Sequence, residues 1–279
     1  MLRGITKIIF MNISENKMFV EGDFNNPVDV EVALSDADYV YHLISTTIPS
    51  NSVLNPTYDI ETNIIPTINL LQYSINSSIK KIVYISSGGT VYGIPEKLPI
   101  AETHSSNPIS SYGIVKRTIE SYFNLYNKIW GVDSCIFRLS NPYGEKQNPR
   151  NVQGAMAVFS YKSLHNEEIE IWGDGEIVRD YIYIGDVVDA LLLAIKIDTP
   201  ELIYNLGSGE GRSLNEILAN IKEKFNHSLK VKYLESRNFD VPANILDIGL
   251  LKRRFKWEPK TNFEEGINIL YKHLQNINE

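Results

Sequence analysis

The 279-residue sequence predicts an α/β protein: a parallel sheet covered by helices on both faces, followed by a second, smaller α/β lobe. Three observations carry that reading. Short Val/Ile/Tyr-rich segments, nearly continuous in apolar residues, alternate with helical patterns through the first two-thirds of the chain, as strands buried on both faces should. The loops HLISTT, SSGGTVYG and RLSNPYG each lie at the carboxyl end of such a segment, where open parallel sheets bind ligands. After Asn141-Pro142-Tyr143-Gly144 the rhythm changes to a polar stretch and shorter strands.

The elements follow in order. A strand is expected at 18–21 (MFVE), a helix at about 28–35 and a strand at 37–43 (ADYVYHL). A long helix at about 58–77 comes next with Pro66 inside it, where an interior proline costs ~3 kcal/mol unless the helix kinks. KIVYIS at 81–86 is the third strand, a helix covers 111–130, and SCIFRL at 134–139 is the fourth strand. Beyond Gly144 the pattern predicts a helix near 155–165, strands at 168–172 and 180–184, and a helix over 185–196. A strand at 203–206, a helix near 213–225, a strand at 230–234 and a final helix near 263–275 complete the chain. Residues 1–143, with returns from about 182–206, are expected to form one domain, and 144–279 the smaller lobe. Two helices carry apolar residues on more than one side: Ile64, Ile68 and Leu71 in one, Ile119, Tyr122, Phe123 and Tyr126 in the other. Such a helix needs a second partner surface.

Composition narrows the function classes. With 43% apolar and 22% charged residues the chain is ordinary for a globular protein, and its net charge of −7 argues against a general nucleic-acid or membrane-surface role. No run approaches the ~18 apolar residues of a membrane span, and MLRGITKIIFMNI is not a convincing signal peptide. The single cysteine, Cys135 in VDSCIFRL, reads as a small buried hydrophobe; with no intrachain disulfide possible, a cytoplasmic location is expected.

The chemistry is concentrated between Lys81 and Lys116. Tyr112 and Lys116, spaced i, i+4 at the start of a helix, put a phenol and an ammonium on one helical face. A tyrosine near its free pKa of ~10 is a poor base at neutral pH, and a fixed cation beside it favours the phenolate. The pair can move a proton on and off a hydroxyl. With 16 Tyr and 27 Lys plus Arg, roughly one such spacing arises by chance, so its weight comes from SSGGTVYG upstream and RLSNPYG downstream.

These blocks, in this order, resemble the extended short-chain dehydrogenase/reductases, specifically nucleotide-sugar epimerases of the UDP-glucose 4-epimerase type. The likeness also includes FVEGDF at 19–24, ETNIIPTINLL around Asn63, IEIWGDGEIVRDYIYIGDVVDAL at 169–191, YNLGSGEG at 204–211, RNFDVPANILD at 237–247 and WEPKTNFEEGI at 257–267. It implies a Rossmann-like doubly wound sheet, NAD as cofactor, a UDP-sugar substrate and a homodimer paired through the two helices with extra apolar faces. It further implies that Tyr112 exchanges the proton of a sugar hydroxyl while Lys116 holds the nicotinamide ribose. Asp23 and Phe24 would meet the adenine end of the cofactor; Leu43 and its turn would meet the nicotinamide end, and Asn63 and Ser86 would lie near the cofactor. Asn141, Arg179, Arg237 and Asp240 would face the nucleotide-sugar. Guanidinium forks suit a diphosphate, although each arginine could instead form a surface pair, with Asp180 or Asp240.

Three departures qualify the likeness. No glycine-rich G-x-x-G-x-x-G can be drawn, so the expectation is an N-terminally truncated sheet lacking a strand–helix–strand unit of about 30 residues. Gly88 stands where the family carries Ser or Thr, leaving Ser87 or Thr90 to supply a catalytic hydroxyl, and Pro66 stands where a glycine is usual. A dehydratase would carry Asp-Glu before VYG, where this chain has Gly89 and Thr90. The other alternative is a non-catalytic nucleotide-sugar-binding protein. No metal site is expected.

Overall fold

The computed structural model describes residues 8–9, 19–150, 154–225, 229–236 and 241–277. Two short strands, β1 (Ile8–Ile9) and β2 (Phe19–Val20), pair antiparallel with each other, so the strand expected at 18–21 belongs to a small ribbon. Helix α1 (Pro27–Leu34) starts on the Asn26 side chain, which accepts from Val28 N, with Pro27 in the first turn where its missing N–H is not needed.

The main sheet is built from β3 (Tyr39–His42), β4 (Lys81–Ser87), β5 (Ser134–Leu139) and β9 (Ile203–Leu206), in that order and all parallel. Strand period two divides its residues between two cores. Ile82, Tyr84 and Ile136 pack with α1, α4 (Ile65–Ser74) and α5 (Ser111–Trp130) through Leu34, Leu71, Ile119 and Phe123. Val83, Cys135, Phe137 and Tyr204 point the other way, against α7 (Ile184–Ala194) and α9 (Gly249–Phe255) through Val187, Ala190, Leu251 and Phe255. Each fully buried side chain of this kind contributes roughly 1.5–3 kcal/mol. Lys81, buried at the start of β4, donates to the carbonyls of Ala194 and Ile197, so its cation closes the C-terminal end of α7.

The helix expected at 58–77 is not continuous. A short helix, α2 (Pro49–Ser52), precedes it, and the expected span is divided into α3 (Pro56–Asp59), a π-helical stretch Ile60–Ile64, and α4. Pro66 is buried in the first turn of α4; a proline cannot donate into the preceding turn, and the change of helical pitch accommodates it.

After β5 the chain passes into β6 (Asn141–Tyr143), which the sequence reading did not separate from its loop. Helix α6 (Ala155–Leu164), β7 (Glu168–Trp172) and β8 (Val178–Tyr183) precede α7; β10 (Gly211–Ser213), α8 (Leu214–Phe225), β11 (Lys230–Leu234) and β12 (Ala243–Asn244) precede α9, and α10 (Phe263–Ile277) is last. Strand β8 is the hub of this half, pairing with β6 and β12 in parallel and with β10 antiparallel. Met156, Ile169, Ile171, Ile217 and Leu270 form a third core between α6, α8, α10 and the β7–β11 pair. No helix among the described residues is long and apolar enough to cross a membrane.

Candidate active site

Three loops meet at the carboxyl end of the main sheet. The first follows β3. Asn63 lies beneath it with both ends of its amide committed: Oδ1 accepts from Thr46 N at 3.1 Å, and Nδ2 donates to Thr46 Oγ1, to Asp59 O and to Asp59 Oδ1. The residue expected beside the cofactor therefore holds the loop that carries Leu43, whose apolar side chain is 58% exposed.

The second loop follows β4. Gly88 has no room for a side chain, because a Cβ there would meet Leu246 Cδ1 at 2.5 Å and Arg138 O at 3.0 Å. Its carbonyl accepts from Asn244 Nδ2, which ties this turn to β12. Ser86 faces inward and donates to the fully buried Glu120 at 2.6 Å, so its hydroxyl is structural. Ser87 is half-buried, whereas Thr90 Oγ1 is buried without a hydrogen-bond partner.

The third contribution is the first turn of α5. Ser110 caps it by accepting from Gly113 N, and Tyr112 N donates to Ser52 Oγ. Gly113 allows close approach: a Cβ there would lie 2.7 Å from Thr90 O. That contact puts the Tyr112 turn directly against the turn after β4. Lys116, one helical turn on, is buried, donates to Ile85 O at 3.0 Å, and lies 4.9 Å from the Tyr84 ring centroid and 5.6 Å from that of Tyr112. Further along the same helix, Glu120 accepts from Arg138 Nε and Nη2, a buried pair that joins α5 to β5.

The electrostatics differ from the sequence expectation. Lys116 does not hold the Tyr112 pKa down. Burial dominates and pushes the phenol up to about 12, aided by the Asp59 charge and opposed by a hydrogen bond with Ser45. Burial also lowers Lys116 to about 8, against the raising influence of Asp59 and Glu120.

On the far side, Asn141 Nδ2 donates to Asp180 O, fixing β6 to β8. The Asp180 carboxylate accepts from Ser208 N and Oγ, Gly209 N and Leu246 N, so it serves backbone loops in place of the pairing with Arg179 that the sequence allows. Arg179 is half-buried on β8, opposite Arg212 in register. Arg237 and Asp240 lie outside the described residues. At the other end Asp23 is half-buried, its Oδ1 held by Asn25, and Phe24 is buried with its ring 5.1 Å from that of His42. Sequence reading missed Asp59 and Glu120; each is a buried acid one helical turn from a residue it did single out, Asn63 and Lys116. A charged residue at that spacing on an inward-facing stripe was the available signal.

The residues present fit an NAD molecule at three points. Lys116 gives one N–H to Ile85, and an ammonium carries three donors. Thr90 Oγ1 and Ser140 Oγ, just past the ends of β4 and β5, are buried polar atoms without a protein partner. Leu43 presents an apolar surface at the end of β3.

Comparison with known proteins agrees with this geometry. Residues 6–207 match the model of the NAD dependent epimerase/dehydratase family. A Methanocaldococcus jannaschii protein provisionally named a UDP-glucose 4-epimerase is 37% identical over 268 residues, covering 96% of this chain and 87% of the relative. The crystal structure of the Thermotoga maritima UDP-glucose 4-epimerase with UDP-glucose superposes with a TM-score of 0.91 at 35% identity, over 96% of this chain and 87% of that one. The Thermus thermophilus UDP-glucose 4-epimerase in complex with NAD gives 0.84 at 31% identity, over 90% and 83%. With the strand-end loops, the buried Lys116 and the sheet order all in place, the chain belongs to the NAD dependent epimerase/dehydratase family, among the nucleotide-sugar epimerases of the short-chain dehydrogenase/reductase type.

Proposed function

We propose that this protein is a UDP-sugar 4-epimerase of the UDP-glucose/UDP-galactose type. The observation that carries the reading is the contact of the Tyr112 turn with the turn after β4, through Gly113 and Thr90, beside the loop after β3. NAD, when bound, would supply the hydride acceptor and donor for the sugar carbon. The protein's part is proton transfer and positioning. Tyr112 takes the proton of the C4 hydroxyl as the carbonyl forms and gives it back on return, a task for the phenolate, which burial makes the minor form. Lys116 donates to the ribose and holds a positive charge below the phenol. Thr90, with its unpartnered hydroxyl, orients the reacting oxygen in place of the side chain absent at Gly88, with Ser87 in the same turn as the alternative. Asp23 and Phe24 take the adenine end and Leu43 the nicotinamide end. Arg179, with Arg237, Asp240 and Asn141, binds the diphosphate and sugar, since two guanidinium groups neutralise phosphate charge despite the −7 background. Residues 1–143 with the returning 182–206 make the cofactor domain and 144–279 the substrate lobe. The enzyme works in the cytoplasm as a homodimer. A dehydratase reading is disfavoured by Gly89 and Thr90, neither of which titrates as its second acid and base would.

Tyr112→Phe tests the assignment. Turnover, followed by coupling to UDP-glucose oxidation, should fall ~10²–10⁴-fold while UDP-sugar affinity stays within about threefold, because the change removes one hydroxyl and little packing. Near-wild-type turnover would remove Tyr112 from the mechanism, and a wild-type chain that binds UDP-sugar but never turns it over would leave a binding protein.

A further inference from the structure

Asp59 is the last residue of α3, at the point where the chain enters its π-helical stretch, and it is fully buried. Its carboxylate accepts three hydrogen bonds from three separate elements. Thr47 Oγ1, in the loop after β3, donates to Oδ1 at 2.7 Å. Asn63 Nδ2, in the π-helical stretch, donates to the same oxygen at 3.0 Å. Ser111 Oγ, in the first turn of α5 and next to Tyr112, donates to Oδ2 at 3.0 Å. All three donors are neutral, and among the described residues no cation lies within ion-pair distance of the carboxylate. A buried carboxylate without a counter-ion is costly, so its presence here points to a role that a neutral acceptor would not fill.

We propose that Asp59 is a positioning residue that latches the first turn of α5, and with it Tyr112, to the loop after β3, while its negative charge faces the Tyr112–Lys116 pair. The inference rests on the epimerase reading for its kinetic arm only. Geometrically, Asp59 is where the loop bearing Leu43 and Ser45 meets the turn bearing Tyr112; loosening it separates the proton-transfer group from the loop beside it. A displacement of ~1 Å in such a group can reduce rate by ~10²-fold. Electrostatically, the Asp59 charge favours the protonated form of both Tyr112 and Lys116. The other titratable groups facing Lys116 are Glu120 on α5, Tyr84 on β4 and His42 on β3, and none of them makes a hydrogen bond that closes this latch.

Two substitutions separate latch from charge. Asp59→Asn keeps the shape and removes the charge, so the pKa values of both Tyr112 and Lys116 fall. The pH–rate profile should therefore move as a whole to lower pH, whichever of the two groups limits it, with KM for UDP-glucose within about twofold. Asp59→Ala removes the latch as well; kcat should fall at least ~10-fold. Amide hydrogen exchange should then speed up in 43–48 and 110–114 and stay unchanged in the strands of the main sheet. Exchange is read without substrate, so it decides the latch even if the chain turns over no UDP-sugar, an outcome that would count against the epimerase reading alone. An unmoved pH profile in Asp59→Asn, or unchanged exchange at the two segments in Asp59→Ala, overturns the proposal. Should Asp59→Ala fail to fold, Thr47→Val and Ser111→Ala each remove one donor: faster exchange in the segment that lost its bond supports the latch, and no change in either overturns it.

Discussion

His42 closes β3 with its ring between those of Phe24 and Tyr84, 5.1 Å from each centroid, and its Nε2 lies 2.9 Å from Thr67 Oγ1. Burial, with the Lys116 charge as the smaller cause, lowers its pKa from 6.5 to about 3. The folded protein thus binds its proton far less readily than the unfolded chain. Stability from neutral His42 is fully present above pH ~6.5 and is lost as pH falls from there towards the folded value. Between pH 7 and pH 5 the loss should be ~2 kcal/mol. In His42→Phe, which keeps an aromatic ring between Phe24 and Tyr84, urea midpoints at those two pH values should lie closer together than in the wild type; an equal separation would show that some other group governs the acid limb. Tyr112 and Lys116 mark the limit of sequence reading at this scale. Their spacing was legible, because helical period alone puts them on one face. Their ionisation was not, because it depends on how deeply the β4 turn and the loop after β3 cover them.

At the scale of elements, the position most exposed to error was the turn after β4. From sequence, Gly88 is a missing hydroxyl. The fold supplies the reason: Leu246 and the Arg138 carbonyl occupy the space a side chain would need. Gly88→Ser should therefore destabilise by ~1–3 kcal/mol through overpacking, and the same change should cost less in a Leu246→Ala background. Chemical denaturation of the single and double variants measures both; strictly additive effects would mean that the two sites do not share this space. The divided helix before β4 shows the same limit. Pro66 announced an irregularity, but the π-helical stretch that absorbs it is set by what Asp59 and Asn63 bond across the site.

For the whole molecule, the proposed dimer can be located more closely than sequence allowed. Ile119, Phe123, Tyr126 and Leu71, which made two helices look apolar on several sides, are buried within the chain. The exposed apolar residues of α5 include Ile114, Leu125 and Ile129, which share one stripe at helical spacing, and Tyr58, Ile60 and Ile65 are exposed on the neighbouring helical segment. A stripe of this kind on adjacent helices suits a twofold, isologous contact. Light scattering should give twice the 31.7 kDa chain mass, and Ile129→Glu should shift it to the monomer. A monomeric wild type at micromolar concentration would reject the interface.

Sequence alone determined the parallel sheet, the ends of its strands and the Tyr112–Lys116 pair, because those features repeat with the local periods of strand and helix. Most predicted bounds agree with the structure to within a few residues, including β4, β5, α5 and β7. Tertiary structure decided which polar side chains remain available for chemistry. Asn63 and Ser86 turned out to hold protein atoms, and Thr90 kept an unpartnered hydroxyl. Asp59 became the meeting point of three elements, one of them 52 residues away in the chain. A hydrogen bond between residues 47 and 59, or 59 and 111, leaves no periodic mark in a sequence; it exists only once packing has brought the donors together and excluded the water that would otherwise compete for them.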